Sequence, residues 1–168
     1  LADSIGKKVC GVVINCSNTE NLNSYGADKI ININSSDLVD FSSKKYAHAL
    51  VEIVKSENSN IIILSSSPNS KYLGAHLSGI TDSSFVSNVV KLPESSNPFI
   101  VKRTCFTNKA FSLTELTSDL KIISITSNSF GIVERPNNPE NEILDIKGVS
   151  TNQKILDIEK ESGAVTIA

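Results

Sequence analysis

The sequence predicts an α/β fold: a three-layer domain on a mainly parallel sheet, with a small antiparallel strand set added to it. Three observations carry that prediction. Short apolar runs near residues 9–14, 29–34 and 60–64 alternate with stretches of helical periodicity, the rhythm of strand–helix–strand units. Four strand-like runs then follow one another after residue 84, with connections too short for helices, which favours antiparallel pairing. Hydrophobic residues make up 39% of the 168 positions and charged residues 20%, ordinary for a globular chain long enough to bury a core.

Taken in order, Leu1 to Gly6 read as the last turn of a helix closed by a left-handed glycine. Residues 9–14 (VCGVVI) are continuously apolar, as in a parallel strand covered on both faces. A strand directly after a helix end implies an earlier strand and helix outside this sequence, so an exposed face is expected where that strand belongs. Asn18 or Thr19 is expected to cap a short helix ending at Gly26, followed by a strand at 29–34 (KIININ). Ser42 or Ser43 should cap a longer helix whose buried face holds Tyr46, Ala47, Leu50, Val51 and Val54, with His48, Glu52 and Lys55 opposite. Residues 60–64 (NIIIL) form the strongest strand, and Leu73, Leu77 and Ile80 mark the helix beyond it.

The runs at 85–92, 99–106, 110–116 and 120–126 are the four later strands. The polar turn Thr107-Asn108-Lys109 makes the middle pair a hairpin, and residues 120–126 (LKIISIT) are apolar enough to rejoin the central sheet. A turn-rich connector, residues 137–141 (NNPEN), precedes two half-buried strand candidates at 143–149 and 154–159.

Several function classes are unsupported. The formal charge of −2 comes with no basic stripe for a phosphate backbone. The apolar runs are too short to span a bilayer. Cys10, Cys16 and Cys105 are an odd set without metal spacing, as expected of reduced thiols in a cytoplasmic protein. Walker, dinucleotide GxGxxG and GxSxG patterns are absent.

No catalytic, cofactor-binding or metal-binding residue is assigned. Residues 65–70 (SSSPNS) lie where an open α/β sheet binds ligands, yet contain no glycine for close backbone approach to a phosphate. His48 and His76 fall on separate helices without partners at ligand spacing. Asp82 reads as a helix-end residue, Cys10 as buried packing, and Cys16 as a more exposed thiol without a base. Lys102, Arg103 and Lys109 form a basic cluster at the hairpin, a solvated turn first and a seat for an acidic partner second.

Four stretches in this order resemble one family: YGADKII at 25–31, YAHAL at 46–50, the strand and helix within 61–80, and 99–130 with VKRTCFTNKAFS and SDLKIISITSNSF. The chain resembles the N-terminal domain of the electron transfer flavoprotein alpha subunit, especially its Bacteroidetes-type form. The segment from KILDI at 154–158 to SGAV at 162–165 is similar to the family's stretch just ahead of its flavin domain. Departures are Ser70 where the family has glycine before a basic residue, Ala75-His76 for a proline–arginine pair, and Asn108 at the hairpin glycine.

The resemblance implies a Rossmann-like fold of the adenine nucleotide alpha hydrolase type. It implies residues 1–135 as the N-terminal α/β domain, lacking its first strand, and 136–168 as closing strands leading to an FAD domain beyond Ala168. It further implies an electron carrier rather than an enzyme, working in a heterodimer with a beta subunit that holds AMP. Such a carrier takes electrons from dehydrogenases, such as those oxidising acyl-CoA in fatty acid beta-oxidation. It passes them through a quinone oxidoreductase toward the respiratory chain, with FAD bound by the absent C-terminal domain. The rival reading is a free-standing nucleotide-binding domain of the universal stress or adenine nucleotide hydrolase type. A third is a cofactor-free homo-oligomerising interaction domain.

Overall fold

In the computed structural model, residues 1–147, 149, 151–153 and 155–159 are described. The apolar runs become strands: β1 (Cys10–Ile14), β2 (Lys29–Asn34) and β3 (Ile61–Ser65). A one-turn helix, α1 (Ala2–Ile5), leads into β1 through Gly6, whose φ of 63° is the left-handed cap that a side chain would strain. Between β1 and β2 the expected α-helix is instead a 3-10 turn, Glu20–Ser24. Five residues ahead of Gly26 are too few to nucleate a stable α-helix.

The long helices are α2 (Ser43–Ser56) and α3 (Pro68–Thr81). Ser42 sits at the N-cap of α2, but its hydroxyl makes no capping bond and is buried without a partner, contrary to expectation. At α3, Ser67 accepts the Ser70 N–H at 3.1 Å and Pro68 opens the first turn, where its missing N–H costs nothing. Asp82 closes α3 in the left-handed conformation.

The remaining strands are β4 (Ser84–Lys91), β5 (Ile100–Cys105), β6 (Ala110–Glu115), β7 (Lys121–Ile125) and β8 (Glu140–Asp145). β7 does return to the centre: the order is β3-β7-β4-β5-β6, parallel from β3 to β4 and antiparallel from β4 to β6. A second sheet, β1-β2-β8, is wholly parallel. The α/β class and the mainly parallel character agree with the sequence prediction, while its single sheet is divided in two. Strand β8 begins earlier than the predicted run at 143–149, and residues 155–159 form no strand. Lys154 of the 154–159 candidate, and SGAV, lie outside the described residues.

Helix α2 joins the sheets. On one flank Ala49 and Ile53 pack against Ile31, Ile33 and Leu38 beside β2. On the other, Ala47 and Val51 pack with Leu73 and Leu77 of α3 over Ile122 of β7. Ile123, the next residue of β7, faces the opposite side, where it is buried with Val86, Val89, Phe99, Val101 and Leu116. Each buried aliphatic side chain contributes about 1.5–3 kcal/mol, so these three clusters are the folding energy of the domain. Among the described residues no helix is long and apolar enough to cross a membrane.

Two glycines on α3 separate packing from helix propensity. A Cβ on Gly74 would lie 2.4 Å from the Phe85 ring, whereas one on Gly79 would meet nothing within 4 Å. Gly74→Val should therefore lower stability by about 2 kcal/mol through overpacking. Gly79→Ala should raise it by about 0.5–1 kcal/mol through propensity alone. Urea unfolding midpoints of the two variants check both signs.

Candidate functional site

Three places could hold chemistry or a partner, and the first is the loop after β3. Its polar groups bond inward. The Ser66 N–H donates to the Ile125 carbonyl at 2.8 Å, the Ser67 N–H to Ser65 O at 3.0 Å, and the Ser70 N–H to Ser67 Oγ. The Ser66 and Ser124 hydroxyls are 3.1 Å apart, and those of Ser67 and Ser70 2.9 Å apart. Pro68 has no N–H to offer. A phosphate cradle requires backbone donors aimed outward, and here Ser67 and Ser70 have spent theirs on the loop itself and Ser66 its own on β7.

The second place is the set of titratable side chains singled out from sequence, which the fold keeps apart. His48 is exposed on α2 and His76 half-buried on α3. Among the described residues no group of three His, Cys, Asp or Glu side chains could hold a metal ion. Cys10 is half-buried rather than enclosed, and burial followed by the nearby Glu57 charge pushes its thiol pKa up. That direction disfavours the thiolate and hence nucleophilic chemistry. Cys16 donates its thiol to the Asn18 carbonyl at 3.2 Å.

Lys29, not singled out from sequence, has the densest ion pairing. Its Nζ lies 2.7 Å from both Glu57 at the end of α2 and Glu142 on β8. Hydrogen bonds to Glu142 and Glu57 hold its pKa above the usual lysine range. The arrangement ties helix and two strands together and leaves no free acid or base.

The third place is the outer face of the β5–β6 hairpin. Strand alternation sends Val101 into the core and turns Ile100, Lys102, Phe111 and Leu113 to the other side. Phe111 is 61% exposed, Leu113 75% and Phe106, at the turn, 82%. Lys102 Nζ stands 4.0 Å from the centroid of the Phe111 ring, a cation–π contact on a face that also carries Thr104 and Glu115. A groove of about 360 Å³ adjoins it, lined in part by Lys91, Leu92, Pro98, Ile100 and Leu113. The basic cluster read from sequence is divided here, because neighbouring Lys102 and Arg103 sit on opposite faces. Phe111 and Leu113 were missed as a site, although their two-residue spacing was a signal for an apolar outer face.

The hairpin turn itself is strained. Phe106, Thr107 and Asn108 all take left-handed φ values of 50°, 53° and 64°. Asn108 tolerates that geometry, as its substitution for glycine required, but β-branched Thr107 does not.

Compared with known proteins, residues 1–150 match the family model described as the electron transfer flavoprotein domain. No curated protein matches.

Relieving the turn gives a test of its geometry. Thr107→Gly should stabilise the chain by about 0.5–1 kcal/mol, the left-handed penalty less the added freedom of the unfolded state. Thermal melting alongside Asn108→Ala, expected to destabilise, reads both signs.

Proposed function

Because the chain belongs to the electron transfer flavoprotein domain family, we propose that it is the N-terminal domain of an alpha-type subunit in a soluble, cytoplasmic electron carrier. Its task is structural. It docks on a beta-type subunit and supports the platform on which a flavin domain sits. FAD belongs to residues outside this sequence, and AMP to the beta partner. Electrons come from dehydrogenases, acyl-CoA dehydrogenases among them, and leave through a quinone oxidoreductase. The flavin supplies the redox chemistry when bound, while the protein supplies position and electrostatics.

The observation that supports the docking role is the outer face of the hairpin. An exposed patch carrying Phe111 and Leu113, with Lys102 and the Lys91–Glu94 pair at its border, has the apolar centre and polar border of a protein interface. The hydroxyls of residues 65–70 bond to one another or to Ser124, and His48 and His76 stand on separate helices.

Leu113 is exposed enough that Leu113→Ser should leave stability within about 0.5 kcal/mol, and Phe111→Ser should cost only the cation–π contact of about 0.5–1 kcal/mol. Binding to the beta-type subunit from the same source, measured by titration calorimetry, should weaken by about tenfold or more in the double variant, since buried aromatics dominate interface energy. Undiminished binding would place the interface elsewhere. The chain alone should bind neither FAD nor AMP in equilibrium dialysis. Saturable AMP binding would instead favour a free-standing nucleotide-binding domain.

A further inference from the structure

The five-stranded sheet ends at β6, which pairs only with β5 among the described residues. Its other edge is open. The Leu116 N–H donates to the Phe99 carbonyl at 3.0 Å, which fixes the phase of the ladder. Alternate residues of an antiparallel pair exchange hydrogen bonds. Ala110, Ser112 and Thr114 therefore aim their N–H and C=O groups at β5, while Phe111 and Leu113 aim theirs at the open edge.

Strand edges are normally blunted by charge within the strand, by proline or by a bulge. The body of β6 has none of these: its register with β5 is unbroken, and residues 110–114 (AFSLT) hold neither charge nor proline. The charges stand at the two ends, Lys109 one step before the strand and Glu115 at its close. Both are exposed, and neither has an ion-pair partner among the described residues.

The segment 109–115 (KAFSLTE) complements itself. Turned end for end about Ser112, it sets Lys109 opposite Glu115, Phe111 opposite Leu113, and Ser112 opposite its own copy. Opposite charges at the ends and apolar side chains between them both favour an antiparallel pair. The backbone agrees with this register, because Phe111 and Leu113, which carry the free N–H and C=O groups, become the hydrogen-bonded pair. Registers centred on Phe111 or on Leu113 use the same groups, but set Lys109 against Leu113 or Phe111 against Glu115.

We propose that the open edge of β6 takes a second copy of this chain, paired antiparallel across a two-fold axis at Ser112, so that two five-stranded sheets run on as one. Such a contact uses the edge of each copy once, and the assembly therefore closes at a dimer. The inference goes beyond the reading of function. Pairing consumes backbone groups in the plane of the sheet, whereas docking of a beta-type subunit uses the outer face, and failure of one leaves the other standing.

Charge reversal at the two ends tests the register, read by sedimentation velocity of the full chain over a wide range of concentration. The unaltered chain should sediment as a dimer that dissociates on dilution. Lys109→Glu and Glu115→Lys each set like charges opposite one another at both ends of the pair, so each variant alone should associate about tenfold more weakly or worse. Mixing the two variants should restore the dimer, because every facing pair is then of opposite sign. The double variant K109E/E115K should restore it for the same reason. A monomer at every concentration would overturn the proposal. So would a dimer indifferent to both reversals, which places the contact elsewhere, or a mixture of the two variants no more associated than either alone.

Discussion

Everything in this structure depends on one helix being shared by two sheets. Helix α2 is apolar over nearly half its circumference, and no single sheet takes all of that surface. One flank completes the core over β2 and the other completes the core over β7. Lys29 reinforces the first flank by pairing at once with the end of α2 and with β8. Such pairs add little as isolated surface contacts. Their value here is geometric, since one ammonium holds three elements in register. Remove the helix and the two sheets have no common core.

The contrast between the inner and outer strand edges follows from the same constraint. A backbone edge is a binding surface whether or not it is used, so its composition records the neighbour it meets. β6 and β8 both carry charged residues, as strands meeting water do, whereas β1 and β3 carry none. The outer hairpin face differs again, for a face presents side chains rather than backbone.

Much of this fold was legible in the sequence because burial and periodicity speak locally. Residues 29–34 and 60–64 are apolar enough to admit one reading, and Asn108 at the hairpin position announced a left-handed turn. The return of residues 120–126 to the sheet centre was likewise readable, because a run such as IISI has no place at an edge. What failed was non-local or depended on length. Residues 20–24 were too few for an α-helix, a limit that capping residues do not reveal. Ser42 has the chemistry of a cap without the geometry. Cys10 looked buried because its strand is apolar, and its half-exposure depends on what stands beside that strand. The outer face of β5–β6 was hidden for a related reason: alternation shows that one face is apolar, while only the packing of Val101 shows which face is already taken.

The position of β8 has a consequence for how the chain comes to be folded. Its ladder partner β2 lies more than a hundred residues earlier, with Lys29 opposite Glu140. At ordinary synthesis speeds of about 5–20 residues per second, β2 waits roughly 5–20 s on the ribosome before that partner emerges. During that interval α2, α3 and β3 to β7 can assemble from nearby contacts, while the smaller sheet remains a single ladder. Early folding therefore belongs to the five-stranded body, and closure by β8 is the late, entropically costly step. Chaperones that recognise bare strand edges can act at β2 during that interval, before β8 covers its second flank.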